Sequence, residues 1–211
     1  MVVSWIRFAI KVEFLYNNSI AVKDVLFLFN GQLYCQINGI GMGNPLGPTM
    51  ANIFLCHHEK NWINNCPNDF RPVFYRRYID DTFILFNHPS HVSKFLNYIN
   101  VQQPDIKFTS EIESNGKINF LDIVISKCDD NFTTSVYRKD TFTGLGMRFD
   151  SFIPNSFKSN VISCLIIRAF RICSTELLFS QELEFLKSFF QSNKFPFHFI
   201  NKFFKKTISN I

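Results

Sequence analysis

Apolar and polar positions along the chain change period several times, and each change marks an element. Residues 1–29 mix apolar and charged positions, which suggests one or two helices, the second ending near "LFLFNG". Asn30-Gly31, between "VLFLF" and "LYCQI", signals a hairpin. The next stretch, "NGIGMGNPLGP", holds Gly39, Gly41, Gly43 and Gly47 with Pro45 and Pro48. No regular element tolerates that density, so a built loop is predicted. "TMANIFLCHHEKNWINN" then reads as a helix capped by Thr49, with Met50, Ile53, Phe54 and His57 at helical spacing. Asn65 to Arg71 reads as loop, and "YRRYIDDTFILF", Tyr75 to Phe86, as strand, turn and strand. A helix follows with Pro89 in its first turn and Val92, Phe95, Leu96 and Ile99 on one face. "DIKFTSEIE" and "INFLDIVIS" read as a hairpin through "SNGK", and "CDDN" turns into a further strand, "FTTSVYRK". From about Asn155 the period is helical, in three pieces near 157–173, 180–192 and 196–206. The shift from strands to helices divides the chain into 1–154 and 155–211, with no internal repeat.

Composition changes this picture little. The 211 residues, 46% hydrophobic and 18% charged, suit a folded chain that buries a real core and exclude a disordered or linker protein. The 27 phenylalanines carry no functional message by themselves. A net charge of +5, from 22 basic and 17 acidic residues, is compatible with a nucleic-acid partner without demanding one. The six cysteines show no CxxC pair and read as reduced intracellular thiols. "MVVSWIRFAIKVEF" is broken by Arg7, Lys11 and Glu13 and makes a poor signal peptide; "VISCLII" is far too short for a membrane span. The expectation is an intracellular chain, nuclear or cytoplasmic, with no membrane partner and with idle glycosylation sequons at Asn17 and Asn131.

The candidate chemistry begins at Asp80-Asp81. Two adjacent carboxylates between apolar strands repel each other, and Asp is also an ordinary turn residue. A rigid frame of Tyr78, Ile79, Thr82 and Phe83 holding two bare carboxylates is nonetheless what a hard cation such as Mg²⁺ requires. "GIGMGNPLGPTMANIFL", followed some 25 residues later by "YIDD", shares that task, because glycines let backbone approach a sugar or base closely. It is no P-loop, since no Lys-Ser/Thr follows the glycines. "CHHEK", Cys56 to Lys60, reads as one solvated helix face rather than a zinc site.

Together "NGIGMGNPLGPTMANIFL", "YRRYIDDTFILF", "INFLDIVIS" and "VYRKDTFTG" resemble the reverse transcriptases of Penelope-like retroelements, from about Val22 onward. The resemblance implies an α+β right-hand polymerase: an antiparallel palm sheet with packed helices carrying the Asp-Asp hairpin, a helical thumb near 155–206, and fingers mostly absent. It implies RNA-directed DNA polymerase chemistry. Asp80, with Asp81 beside it, would ligate Mg²⁺ (or Mn²⁺) in a two-metal nucleotidyl transfer. The partners implied are an RNA template, a DNA primer or RNA–DNA hybrid, and deoxynucleoside triphosphates. Gly41, Met42, Gly43, Asn44, Pro45, Leu46 and Gly47 would lie against the incoming nucleotide and templating base. Phe120, Leu121 and Asp122 would grip the primer end, and Lys107, Arg138, Lys139 and Arg148 would meet nucleic-acid backbone.

The family also uses a third carboxylate, opening a D-V-x-S-L-F-T-N strand well upstream of the glycine loop. Here "DVLFLFN" fits superficially, but Asp24 lies only 17 positions before Gly41 and reads as a capping or surface acid. Asp122 and Asp129-Asp130 read as strand-edge and turn residues. The family's "KPTHT" is "KDTFT" here, Lys139 to Thr143. The expectation is a fragment that starts after the catalytic strand and is inactive alone, the alternative being a non-catalytic RNA- or DNA-binding remnant of a transposable element.

Overall fold

The computed structural model describes the backbone of residues 2–10 and, with side chains, residues 26–35, 45–103, 106–128 and 131–211. The architecture is α+β, and the chain divides into two compact units, 1–113 and 114–211. That division falls upstream of the strand-to-helix change near residue 154.

In the first unit, β1 (Val2–Ile10) is followed by a separate hairpin, β2 (Leu26–Phe29) and β3 (Gln32–Cys35). Then come α1 (Gly47–Asn64), β4 (Phe74–Tyr78), β5 (Asp81–Phe86), α2 (Pro89–Asn100) and β6 (Ile106–Ile112). The main sheet runs β4-β5-β1-β6, every pair antiparallel. With the small hairpin set aside, β1–α1–β4–β5–α2–β6 in that spatial order is a split βαβ unit. Strand β5 explains how the sheet acquires two different faces. Thr82, Ile84 and Phe86 alternate into the interior, where Ile84 and Phe86 join Leu55 and Trp62 of α1, Val92, Phe95 and Ile99 of α2, and Ile106 and Phe108 of β6. Burying these large side chains supplies on the order of 2 kcal/mol each. The other face carries Asp81, Phe83 and Leu85, opposite Tyr78, Arg76 and Phe74 of β4.

Three expectations change here. Residues 2–10 are a strand and not a helix. "VVSWIRFAI" is rich in β-branched and aromatic residues, and the gap between β5 and β6 offers it backbone partners on both edges. Leu26–Phe29 is also a strand, because Asn30 and Gly31, both at positive φ (48° and 77°), close the hairpin anticipated there. Helix α1 starts at Gly47 with Leu46 at its cap, two residues before Thr49, since Pro48 suits a first turn in which its missing N–H costs nothing.

The second unit begins with β7 (Lys117–Phe120), β8 (Ile123–Cys128) and β9 (Asn131–Val136), an antiparallel meander. Its helices are α3 (Asn155–Ile172), α4 (Glu176–Ser192) and α5 (Phe197–Ile208), close to the three pieces expected. "SNGK" does make a tight turn, with Asn115 and Gly116 at φ 53° and 70° and two hydrogen bonds between Ser114 and Lys117. The strand before it pairs with β1, however, and "INFLDIVIS" folds on itself at Leu121-Asp122. The helices close over Ile162, Ile166, Leu186, Phe190, Phe195, Ile200 and Phe204. Thr134 ties β9 to the α3–α4 turn: its N–H donates to Ser174 Oγ (2.9 Å) and its hydroxyl to the Ile172 carbonyl (2.5 Å).

Candidate functional site

The Asp-Asp hairpin of the first unit is built tightly. Tyr78 pairs with Asp81, leaving Ile79 and Asp80 as the two turn residues. Ile79 takes φ 55°, a left-handed conformation that a β-branched side chain resists. Local strain of this kind persists only where surrounding structure imposes it. Arg77 supplies the constraint. Its guanidinium donates through Nη1 to the Ile79 carbonyl (2.9 Å), through Nε to Glu59 Oε1 (2.7 Å) and through Nη2 to Asn52 Oδ1 (2.9 Å). The Tyr75 hydroxyl donates to the same Glu59 oxygen (2.7 Å). A nearly buried Arg–Glu pair thus anchors the turn carbonyl to α1. Burial, then the adjacent Glu59 carboxylate, pushes the Tyr75 phenol far above its ordinary range, so it remains a donor.

Asp80 and Asp81 are each half-buried, with Oδ1 of Asp81 shielded from solvent. They project where β4 turns into β5, and the register places position 7 of β1 opposite Asp81. Val2–Ile10 contains no acidic residue. Among the described residues no group of three or more His, Cys, Asp or Glu could hold a metal ion. Two carboxylates on one hairpin do not make up a site for two divalent cations, which needs a ligand bridging both.

Of the glycine-loop residues, Gly41, Met42, Gly43 and Asn44 lie outside the described residues; Pro45 and Leu46 form a turn and Gly47 opens α1. Asp24, Asp129 and Asp130 also lie outside them. Lys107 is exposed on β6. "CHHEK" departs from the solvated face expected of it. Glu59 is buried in the Arg77 network, and His58 packs between Phe54 (4.4 Å) and Trp62 (5.5 Å), its pKa lowered by burial and by His57.

In the second unit Phe120 is half-buried, while Leu121 (φ 53°) and Asp122 form the β7–β8 turn, with Asp122 paired to Arg168 of α3 (3.1 Å). Arg138 is engaged internally. It makes a two-pronged pair with Glu182, its guanidinium lies 3.6 Å from the Phe185 ring centre, and its side chain is only 24% exposed, which together leave it poorly placed for an outside phosphate. Lys139 is exposed. Arg148 makes a two-pronged pair with Asp150 (2.9 and 2.6 Å), which Lys194 also reaches (3.1 Å), but unlike Arg138 both cations stay more than half exposed. Hydrogen bonds from these two cations hold the Asp150 carboxyl well below the usual carboxylate range.

From the sequence, Lys202, Lys205 and Lys206 read only as a solvated helix end with modest contact to nucleic-acid backbone, yet they belong to the strongest charge feature of the chain. The unit 114–211 contains 13 Lys and Arg against eight Asp and Glu, so it holds the whole net charge of the chain. On α5, His198, Lys202, Lys205 and Lys206 are exposed and recur at three- and four-residue intervals along one face, and the helix has no acidic residue. Summing charge by unit would have shown it. No helix among the described residues is long and apolar enough to cross a membrane.

No curated protein matches the chain. Residues 147–205, which run from the segment before α3 through most of α5, match the family described as the animal helix-turn-helix domain.

Proposed function

We propose that this chain is a palm-and-thumb piece of a reverse transcriptase of Penelope-like descent that holds an RNA template paired to a DNA primer without extending it. The observation that carries the reading is the Asp80-Asp81 hairpin, strained at Ile79 and anchored by Arg77, at the rim of a split βαβ sheet whose neighbouring strand offers no carboxylate. In this reading the first unit is the palm, α3–α5 are the thumb, and the β7–β8 turn at Phe120, Leu121 and Asp122 grips the primer end. Pro45, Leu46 and Gly47 close the nucleotide-facing loop that begins at Gly41. The α5 face, with Lys107, Lys139 and Arg148, meets phosphates, while Arg138 is structural. Mg²⁺, or Mn²⁺ in its place, is the cation this reading assigns to Asp80 and Asp81. Condensation of deoxynucleoside triphosphates is not assigned to a chain whose described residues leave the third ligand unfilled.

Fluorescence anisotropy with a labelled RNA–DNA hybrid, read across salt concentrations, tests the binding, and primer extension with Mg²⁺ tests the chemistry. Affinity should fall steeply with salt and survive Asp80→Ala with Asp81→Ala, and no extension should occur. Extension abolished by Asp80→Ala would restore the polymerase, and absence of hybrid binding would sink the reading.

The helix-turn-helix match favours a second reading, in which 147–205 is a duplex-DNA binding module. Competition settles the choice: duplex DNA should displace the labelled hybrid at lower concentration than unlabelled hybrid if the second reading holds.

A further inference from the structure

The segment joining the strands to the helices of the second unit presents an unusual side chain. Phe152 is wholly exposed, at the tip of the loop Arg148–Pro154. Isolated exposed phenylalanines are common on protein surfaces. This one stands on a loop held at nearly every residue. Ser151 donates to the Arg148 carbonyl through its N–H (3.2 Å) and its hydroxyl (2.6 Å), and the Ile153 N–H donates to the Ser151 carbonyl (2.8 Å). The buried Lys158 donates to that same Ser151 carbonyl (3.0 Å). At the loop base, the Phe149 N–H donates to the Asn193 carbonyl (3.0 Å), and its ring packs on Phe195 (5.3 Å) and Phe199 (5.2 Å). The loop is therefore fixed against the α4–α5 turn and the start of α5. Its surroundings are cationic. Arg148 and Lys194, both more than half exposed, share the single carboxylate of Asp150.

We propose that Phe152 is a stacking platform for a base of a single-stranded nucleic acid, whose phosphates are met by Arg148 and Lys194. The inference rests on the nucleic-acid reading above and adds a mode of contact to it. An exposed aromatic ring on a fixed loop that also carries exposed cations is the pairing that single-strand binding uses. The loop backbone is held by its hydrogen bonds, so little main-chain freedom is lost when a base covers the ring. Because every base has an apolar face, the contact discriminates little between sequences.

The test uses the full chain and a fluorescein-labelled single-stranded oligonucleotide, with anisotropy read at several salt concentrations. Phe152→Ala should weaken binding about tenfold while leaving the slope of log affinity against log salt unchanged; Phe152→Trp should retain affinity. Lys194→Gln should instead lower that slope by about one. A 2-aminopurine placed in the strand should be quenched by the parent protein and less so by Phe152→Ala. Because Phe152 is wholly exposed, the alanine variant should melt at the parent temperature. Unchanged affinity in Phe152→Ala, with the parent binding normally, overturns the inference and leaves the nucleic-acid reading standing. Failure of the parent to bind any nucleic acid overturns both. A parent that self-associates in sedimentation, and loses this in Phe152→Ala at unchanged affinity, reassigns the loop to contact between copies.

Discussion

At the scale of single residues, the Asp80-Asp81 turn is costly where it is bent and well supported underneath. Ile79 at φ 55° forgoes on the order of 1 kcal/mol relative to a residue without a Cβ, and the residue is 69% exposed, so it buries little in return. Ile79→Gly should therefore stabilise the first unit by about 1 kcal/mol in urea denaturation, where most glycine substitutions destabilise; a loss of stability would show that the strain is absent. Tyr75 has the opposite character. Below pH 10 its phenol is neutral in both folded and unfolded chains, so its contribution is present in full. Above that, the unfolded tyrosine ionises while the buried one, beside Glu59, does not, and stability falls by about 1.4 kcal/mol per pH unit. Tyr75→Phe should cost about 1 kcal/mol near neutrality through the lost hydrogen bond to Glu59. Between pH 10 and 12 it should decline less than the parent, which denaturant titrations at stepped pH would reveal.

At the scale of elements, what was legible is what local pattern dictates. Asn30-Gly31 and the strands around Asp80-Asp81 follow from turn chemistry and alternation, and α2 from Pro89 and its apolar stripe; α3–α5 emerge where expected. What failed depends on partners distant in the chain. "VVSWIRFAI" has no strand period of its own, and its pairing with β5 and β6, some eighty to a hundred residues on, decides its form. The site divides in the same way. The carboxylate pair stands out in the sequence, whereas Arg77 reads as one more charge on a strand, and only the fold brings Asn52, Glu59 and the Ile79 carbonyl around it. The register also makes β1 a place to test the carboxylate shortfall. Directly opposed residues in an antiparallel pair share a face and lie within about 5.5 Å. Arg7→Asp would thus put a third carboxylate at the register position opposite Asp81. It should destabilise the metal-free protein by like-charge repulsion, and the melting temperature should recover on adding Mg²⁺ or Mn²⁺. Calorimetric titration should show cation binding stronger than in the parent, and recovery without any gain in cation affinity would contradict the register.

At the scale of the whole molecule, two cores and two charge balances lie in one chain. The first unit has nine basic and nine acidic residues and is neutral; the second holds the surplus of five. Each core has its own weak point. In the first it is the Arg77–Glu59 pair, whose side chains are 8% and 11% exposed; removal of one partner strands the other, at a cost of about 3 kcal/mol. In the second it is Gly146, where an added Cβ would lie 2.5 Å from the Phe189 ring, in a strap that Asn193 clamps through bonds to Gly144 and Gly146. Overpacking there costs about 2 kcal/mol. Separate cores predict separable responses. Arg77→Ala should lower one unfolding transition and Gly146→Ala the other, with the double variant shifting each by its own amount, since sites that belong to separate cores and share no partner add. Calorimetry on the full chain reads this directly. Salt-dependent binding should follow mainly the second unit: at a temperature where Arg77→Ala has lost its first transition, hybrid affinity should retain the parent's salt slope less about one, the share of Lys107, whereas Gly146→Ala past its own transition should bind no better than an unfolded chain. A single transition moved equally by both substitutions would mean that the two cores fold as one, and that the lysine face of α5 depends on the carboxylate hairpin's fold as much as on its own.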